Sequence, residues 1–237
     1  MNIIKEKKKQ AENSKMEIFK RFKIEGSLLA FGNTGVVSDL HLGFSDYLSG
    51  KGILSYFDES KKLLELAAGC KKNKIKRLIL NGDILHDFSK LNRRTEKKLS
   101  DFIENLEKNK IKAWFIEGNH DTLLRFFLEK RGLKAKRSIS IKDVFITHGD
   151  KLLKVPEKAR FIIIGHEHPA VKVEGKLFKA YLISRYKGIN LIVMPSFFDF
   201  RQGTENTEEE WSPFHKEKAR KRILIDKISS EYIAVPF

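Results

Sequence analysis

A single cysteine, Cys70, stands in the 237 residues, so no internal disulfide can form. A lone thiol fits a reducing, cytoplasmic setting. Cys70 follows Leu63, Leu66 and Ala67 at helical spacing, which reads as a small core residue rather than a reactive one. Long apolar runs are also missing: none reaches the roughly 18 residues a membrane-spanning helix needs. The opening MNIIKEKKKQ lacks the apolar stretch of a secretory signal, so neither membrane nor export is expected. There are no internal repeats and no low-complexity linker. The length suits one well-cored domain, read as residues 16–237 behind a basic arm at 1–15.

Acidic residues are scarce. Asp and Glu total 31 against 47 Lys and Arg, giving a formal charge of +16 and a pI near 9.7. Such an excess suits a polyanionic partner. It is carried by 35 Lys and only 12 Arg, and lysine surfaces also arise from thermal adaptation, so charge alone leaves nucleic-acid binding open.

Short β-branched runs alternate with amphipathic helices, the pattern of an α/β fold. Strands are expected at Met16–Lys23, Ser27–Phe31, Thr34–Ser38, Arg77–Leu80 and Ile111–Ile116. Helices are expected at Phe57–Asn73, at Thr95–Asn109, where Leu99, Phe102, Ile103 and Leu106 share a face, and at Thr122–Arg131. After Gly132 strands dominate: Lys136–Ile141, Val144–Thr147, Phe161–Ile164, Val171–Val173, Phe178–Ser184 and Ile189–Met194. Ile223–Asp226 and Tyr232–Val235 read as a closing hairpin over Ser229-Ser230. The acidic stretch Gln202–Glu210 has no assigned role.

Histidine placement is the informative feature. Six of the seven histidines lie in motifs that directly follow apolar strands: GVVSDLHLG (Asp39, His41), RLILNGDILH (Asp83, His86), AWFIEGNHD (Asn119, His120, Asp121), DVFITHGD (His148) and FIIIGHEHP (His166, His168). Each alone is an ordinary turn or strand cap. Together they put Asp, His and Asn at five strand ends, which converge on one crevice in α/β folds. The set holds no thiolate and favours Mn²⁺, Fe or catalytic Zn²⁺. Seven donors exceed the needs of one ion and suit two that share a carboxylate.

The ordered blocks DLH, NGD, GNHD, THGD and GHEH resemble the calcineurin-like metallophosphoesterase superfamily, over Asp39 to Pro169. The resemblance implies a four-layer αββα sandwich of two mixed sheets flanked by helices. It implies two divalent ions, Mn²⁺ first, with Fe, Zn or Ni as alternatives. One would be held by Asp39, His41, Asp83 and His168, the other by Asp83, Asn119, His148 and His166, with His120 meeting the scissile phosphate. Asp121 either orients His120 or its loop or, the favoured reading, caps the next helix.

His86 stands where the serine/threonine phosphatases carry an acid. It is similar instead to the small SbcD/Mre-related archaeal and PdeM-like, ligase-associated branch, as a second catalytic histidine or a supporting one. His215, in a basic polar stretch, is expected to be exposed. Lys90, Arg93 and Arg94 could steer a polyanion or simply start a solvated helix.

The implied activity is phosphodiester hydrolysis, with nucleic acid as the first substrate and small cyclic or nucleotide-linked diesters as the alternative. A UDP-diacylglucosamine-type pyrophosphatase ranks lower, because that group carries arginine at the His120 position and an amphipathic lid for which Phe44–Leu54 is short. A non-catalytic nucleic-acid scaffold is disfavoured, since no ligand is missing. Small diesterases often dimerise, and nothing in the sequence marks a homodimer interface.

Overall fold

The structure, a computed structural model, describes residues 16–53, 57–86, 91–198, 212–217, 220–225 and the backbone of 232–235. The 1–15 arm, Leu54, Lys90, the Gln202–Glu210 stretch and the Ser229-Ser230 turn lie outside the described residues.

Two sheets pack face to face. The first runs in chain order through β1 (Met16–Ile18), β2 (Phe22–Glu25), β3 (Leu28–Phe31), β4 (Thr34–Ser38), β5 (Arg77–Asn81), β6 (Lys112–Ile116) and β7 (Ala135–Lys136). It is antiparallel up to β4 and parallel from β4 to β7. The second comprises β8 (Ser138–Ile141), β9 (Val144–Thr147), β10 (Phe161–Ile164), β11 (Ala170–Val173), β12 (Lys176–Tyr186), β13 (Ile189–Val193), β14 (Lys221–Ile225) and β15 (Tyr232–Val235). Its order is β15-β14-β12-β13-β10-β9-β8, with β11 paired to β12. Strands β9, β10 and β13 are parallel. Four helices are described: α1 (Phe44–Gly50), α2 (Glu59–Lys72), α3 (Arg93–Lys108) and α4 (Leu124–Glu129).

Strand alternation explains the layering. Val36, Ile79 and Ile116 of the first sheet meet Ile146, Ile163 and Ile192 of the second, forming the core between the sheets. Their neighbours Val37, Leu78, Leu80 and Phe115 point the other way, onto Leu63, Leu66, Leu99, Phe102, Phe127 and Leu128 of α2, α3 and α4. Cys70 belongs to this outer core, fully buried, with its thiol pushed up to about 12 by burial. The outer face of the second sheet, bearing Ile162, Ile164, Leu191 and Val193, is covered among the described residues by loops. Leu153, Val155, Ala159 and Phe214 pack there where the sandwich pattern leads one to expect a helix.

Two expected strands divide. Met16–Lys23 is a hairpin, β1 and β2, because Phe19 and Lys20 both take positive φ (54° and 50°) and Arg21 N–H donates to Ile18 O at 3.2 Å. Such a turn normally carries Asn or Gly, and here nothing announces it. Lys136–Ile141 likewise splits at Arg137, with β7 closing one sheet and β8 opening the other. The helix expected over Thr122–Arg131 contracts to α4. No helix among the described residues is long and apolar enough to cross a membrane.

Candidate metal centre

Parallel strands place their carboxyl ends at one rim, and the two sheets meet there through a bridge between Ser38 and Ser196. The loops beyond the strands stay bonded to one another. Asp39 N donates to Gly82 O (3.1 Å), His41 N to Asp83 O (2.8 Å), Gly82 N to Ile116 O (3.0 Å) and Gly165 N to His148 O (2.8 Å). The first three motifs are therefore fixed to one another by backbone, as are the last two, and the His166 N–H, which donates to the Asp39 carboxylate oxygens at 3.1 Å, joins the two sets.

Two groups of side chains converge. Asp39, His41, Asp83 and His168 present ligand atoms within 4.8 Å of one another, as do Asp83, His148 and His166. Asp83 belongs to both. His41 Nε2 faces His168 Nε2 at 3.3 Å, and His168 Nε2 lies 3.1 Å from Asp39 Oδ1. In the second group His148 Nε2 is 3.3 Å from Asp83 Oδ1 and 3.1 Å from Asn119 Oδ1. His148 Nδ1 donates to the Asn81 carbonyl at 3.3 Å, which leaves Nε2 as the nitrogen turned to the carboxylate.

Five of these residues are held in the left-handed region without being glycine: Asp39 (φ 56°), His41 (46°), Asp83 (46°), His166 (69°) and His168 (46°). Each costs on the order of 1–3 kcal/mol, tolerable only where the surroundings over-determine it. Glycines make room for that crowding. A Cβ on Gly118 would collide with Asp83, and one on Gly165 with Ser38 and Asp39.

The electrostatics call for a cation. Asp39 and Asp83 are 1% and 2% exposed. Burial alone would raise both carboxyls, yet Asp39 is held low by His168 and His148, and Asp83 by its hydrogen bond to His148. His148 is driven up to about 10: burial disfavours its charge, but the Asp83 hydrogen bond and the field of Asp39 overcome it. Burial and the neighbouring His168 push His41 down to about 3, so it stays a neutral donor. His41 Nδ1 is buried with no hydrogen-bond partner. A neutral His41 imidazole, two ionised carboxylates and an amide oxygen crowded in one dry spot offer divalent cations a ready set of donors.

The remaining expected residues fall close by. His120 N donates to Asp83 Oδ1 (2.9 Å), and its ring Nδ1 donates to the His86 carbonyl (3.1 Å), leaving Nε2 3.8 Å from Asp83 Oδ2. The half-buried His86 ring sits among Phe44, Tyr47 and His41, outside both ligand groups. Asp121 does not cap α4; its carboxylate braces the loop that carries His120, the other of the two readings. It accepts from the backbone of Ile84 (2.9 Å), Leu85 (3.0 Å) and Gly118 (2.9 Å), tying the β5 and β6 loops together. Burial and then Asp83 raise its carboxyl to about 7. Arg93 and Arg94 are exposed in the first turn of α3, the solvated helix start.

His215 is not exposed. It is 1% accessible and pairs with Glu167, the residue between His166 and His168. Sequence reading passed over Glu167 and Ser212 too; the only hint was a carboxylate lodged between two histidines. Glu59 was also missed. It is buried at the start of α2, accepts from Gly43 N (3.2 Å) and Ser45 N (3.1 Å) at the start of α1, just after His41, and is paired by Lys98 at 2.8 Å.

Residues 32–194 match the family described as calcineurin-like phosphoesterase. Among solved structures the chain is similar to the nuclease MPE of Pseudomonas putida, at 17% identity and a TM-score of 0.69, over 94% of this chain and 99% of that one. Weaker likenesses are Yfce, a phosphoesterase from E. coli (14%, TM-score 0.40, 86% of this chain and 98% of that one), and a dimetal phosphatase from Danio rerio (8%, TM-score 0.41, the same shares). No curated protein matches the chain in sequence.

Proposed function

The chain belongs to the calcineurin-like phosphoesterase family, and from that premise we propose that it is a two-metal phosphodiesterase acting on nucleic acid. The observation that carries the reading is Asp83, one carboxylate common to two groups of converging donors. Asp39, His41, Asp83 and His168 would hold one cation, and Asp83, Asn119, His148 and His166 the other. Bound there, Mn²⁺ or a similar ion supplies positive charge against phosphate oxygens and lowers the pKa of water.

The side chains do the rest. Asn119 donates an oxygen without adding negative charge that would repel the substrate. His120, its Nδ1 committed to the His86 carbonyl, turns Nε2 toward the cluster, where it can hold a proton for the departing alcohol. His86, through that carbonyl, fixes the His120 ring, and its own ring borders the same space. A net charge of +16 supports a polyanionic diester over a small neutral-bodied one.

The test is Mn²⁺-dependent turnover of a bis-aryl phosphodiester beside a mono-aryl phosphate, with end-labelled single- and double-stranded DNA in parallel. Diester and DNA cleavage are expected, with Asp83→Asn reducing both at least ~10³-fold and keeping a wild-type circular-dichroism spectrum. His120→Ala should slow turnover by ~10²–10⁴-fold, the usual worth of a general acid, at unchanged metal content. Full activity in Asp83→Asn would sink the two-metal reading, and diester turnover with intact DNA would move the substrate to a small diester.

A further inference from the structure

We infer that Glu167 and His215 are positioning residues serving both cation sites at once, a role that rests on the two-metal reading above. Glu167 lies between His166 and His168, and these two histidines go to different ligand groups. Both flanking residues hold positive φ, 69° and 46°, so the tripeptide is strained in the shape that splits its two imidazoles between the sites. Something must hold it there.

The Glu167 side chain is anchored at both oxygens and is 5% exposed. Oε1 accepts from Ser212 N at 3.0 Å. Oε2 accepts from His215 Nδ1 at 2.8 Å; a carboxylate oxygen only accepts here, so the ring nitrogen is the donor. Ser212 Oγ in turn donates to the carbonyl of Gly149, the residue after His148, at 2.6 Å. A short segment far along the chain, 212–215, thus straps the β9 loop, with its one candidate ligand, to the β10 loop, with two. Freed from the strap, the 166–168 backbone can relax toward ordinary φ, and a single relaxation displaces one imidazole from each group.

This gives an outcome that loss of a single ligand does not. Removing a ligand impairs one cation site; removing the strap weakens both together. Mn²⁺ binding is measured by titration calorimetry and by electron paramagnetic resonance on the full chain, for wild type, His215→Ala, His215→Asn, Glu167→Gln and, as the one-site comparison, His168→Ala. Partners behind metal ligands typically contribute ~10–100-fold in affinity, so His215→Ala should raise both dissociation constants by about that factor. At saturating Mn²⁺ its kcat should return to within about threefold of wild type. His215→Asn, whose amide can donate to the same carboxylate oxygen, should recover most of the affinity. Glu167→Gln, which keeps the shape and loses the charge, should fall between them.

Unchanged binding of both ions by His215→Ala overturns the inference. If that variant does not fold, the other two decide: weak binding by His215→Asn at wild-type melting temperature, or wild-type binding by Glu167→Gln, overturns it equally. Failure of the wild type to bind Mn²⁺ instead removes the two-metal reading on which the inference stands.

Discussion

Gly165 touches Asp39 and Ser38 so closely that no side chain can be added without moving a candidate ligand. Gly69, on α2, faces open space. The two positions make a paired prediction. Gly165→Ala should cut Mn²⁺-dependent diester turnover at least ~10-fold, because displacing a reacting or coordinating group by about 1 Å costs on the order of 10²-fold. Gly69→Ala should leave turnover alone and stabilise the fold by about 0.5–1 kcal/mol, since alanine suits a helix interior better than glycine. Turnover and urea unfolding on both variants check this. At this scale the sequence singles out side chains that the structure brings together, and says little of those behind them. Every metal-ligand candidate stands at a strand end, where residue type and position speak directly. His215 was misread, and the cap was favoured for Asp121, because Glu167 and the backbone of Ile84 and Leu85 come from other strands' loops. No local pattern encodes such a pairing.

Among elements, the two sheets are tied at the end opposite the site. Arg21, in the β1–β2 turn, makes a bidentate pair with Asp143, between β8 and β9, at 2.7 and 2.8 Å, and its guanidinium also stacks on Phe22 and Phe161. The hydrogen bond to Arg21 holds the Asp143 carboxyl below its ordinary value, against a smaller opposing effect of burial. A carboxyl depressed in the folded state stabilises above its unfolded pKa, about 3.9, and loses that contribution as pH falls through the folded value. Asp143→Asn should therefore be less stable than wild type at pH 7 by ~1 kcal/mol, a modest amount for a pair still partly in water, and the gap should narrow as pH falls below about 4. Chemical unfolding at pH 7, 5 and 3 reads it; a gap undiminished at pH 3 contradicts it.

The same turn shows where element boundaries escape a sequence reading. Helices α2 and α3 were legible because their apolar residues recur with helical period, and Asp58 and Asn92 cap them by accepting from Lys61 N and Thr95 N. The β1–β2 turn and the crossover at Arg137 were not, since neither contains glycine or proline. Their bends come from sheet pairing and from contacts such as Arg21–Asp143, which exist only in the folded chain.

Over the whole molecule, the parallel strands β4, β5 and β6 in one sheet and β9 and β10 in the other bring five motifs to one rim. The core between the sheets keeps that rim in register. The αββα expectation described both sheets and the helices over the first; loop residues such as Leu153, Val155 and Phe214 supply the second outer layer seen among the described residues. Loops also lend the site its support, since the 212–215 segment reaches both β9 and β10. The proposed function rests on Asp83 being common to two cations. Anomalous diffraction at the manganese edge from crystals grown with Mn²⁺ tests that most directly. Two peaks are predicted, about 3.5–4 Å apart, with Asp83 bridging them, His41 and His168 on one side and His148 and His166 on the other. A single peak, or two peaks that do not share Asp83, would contradict the account.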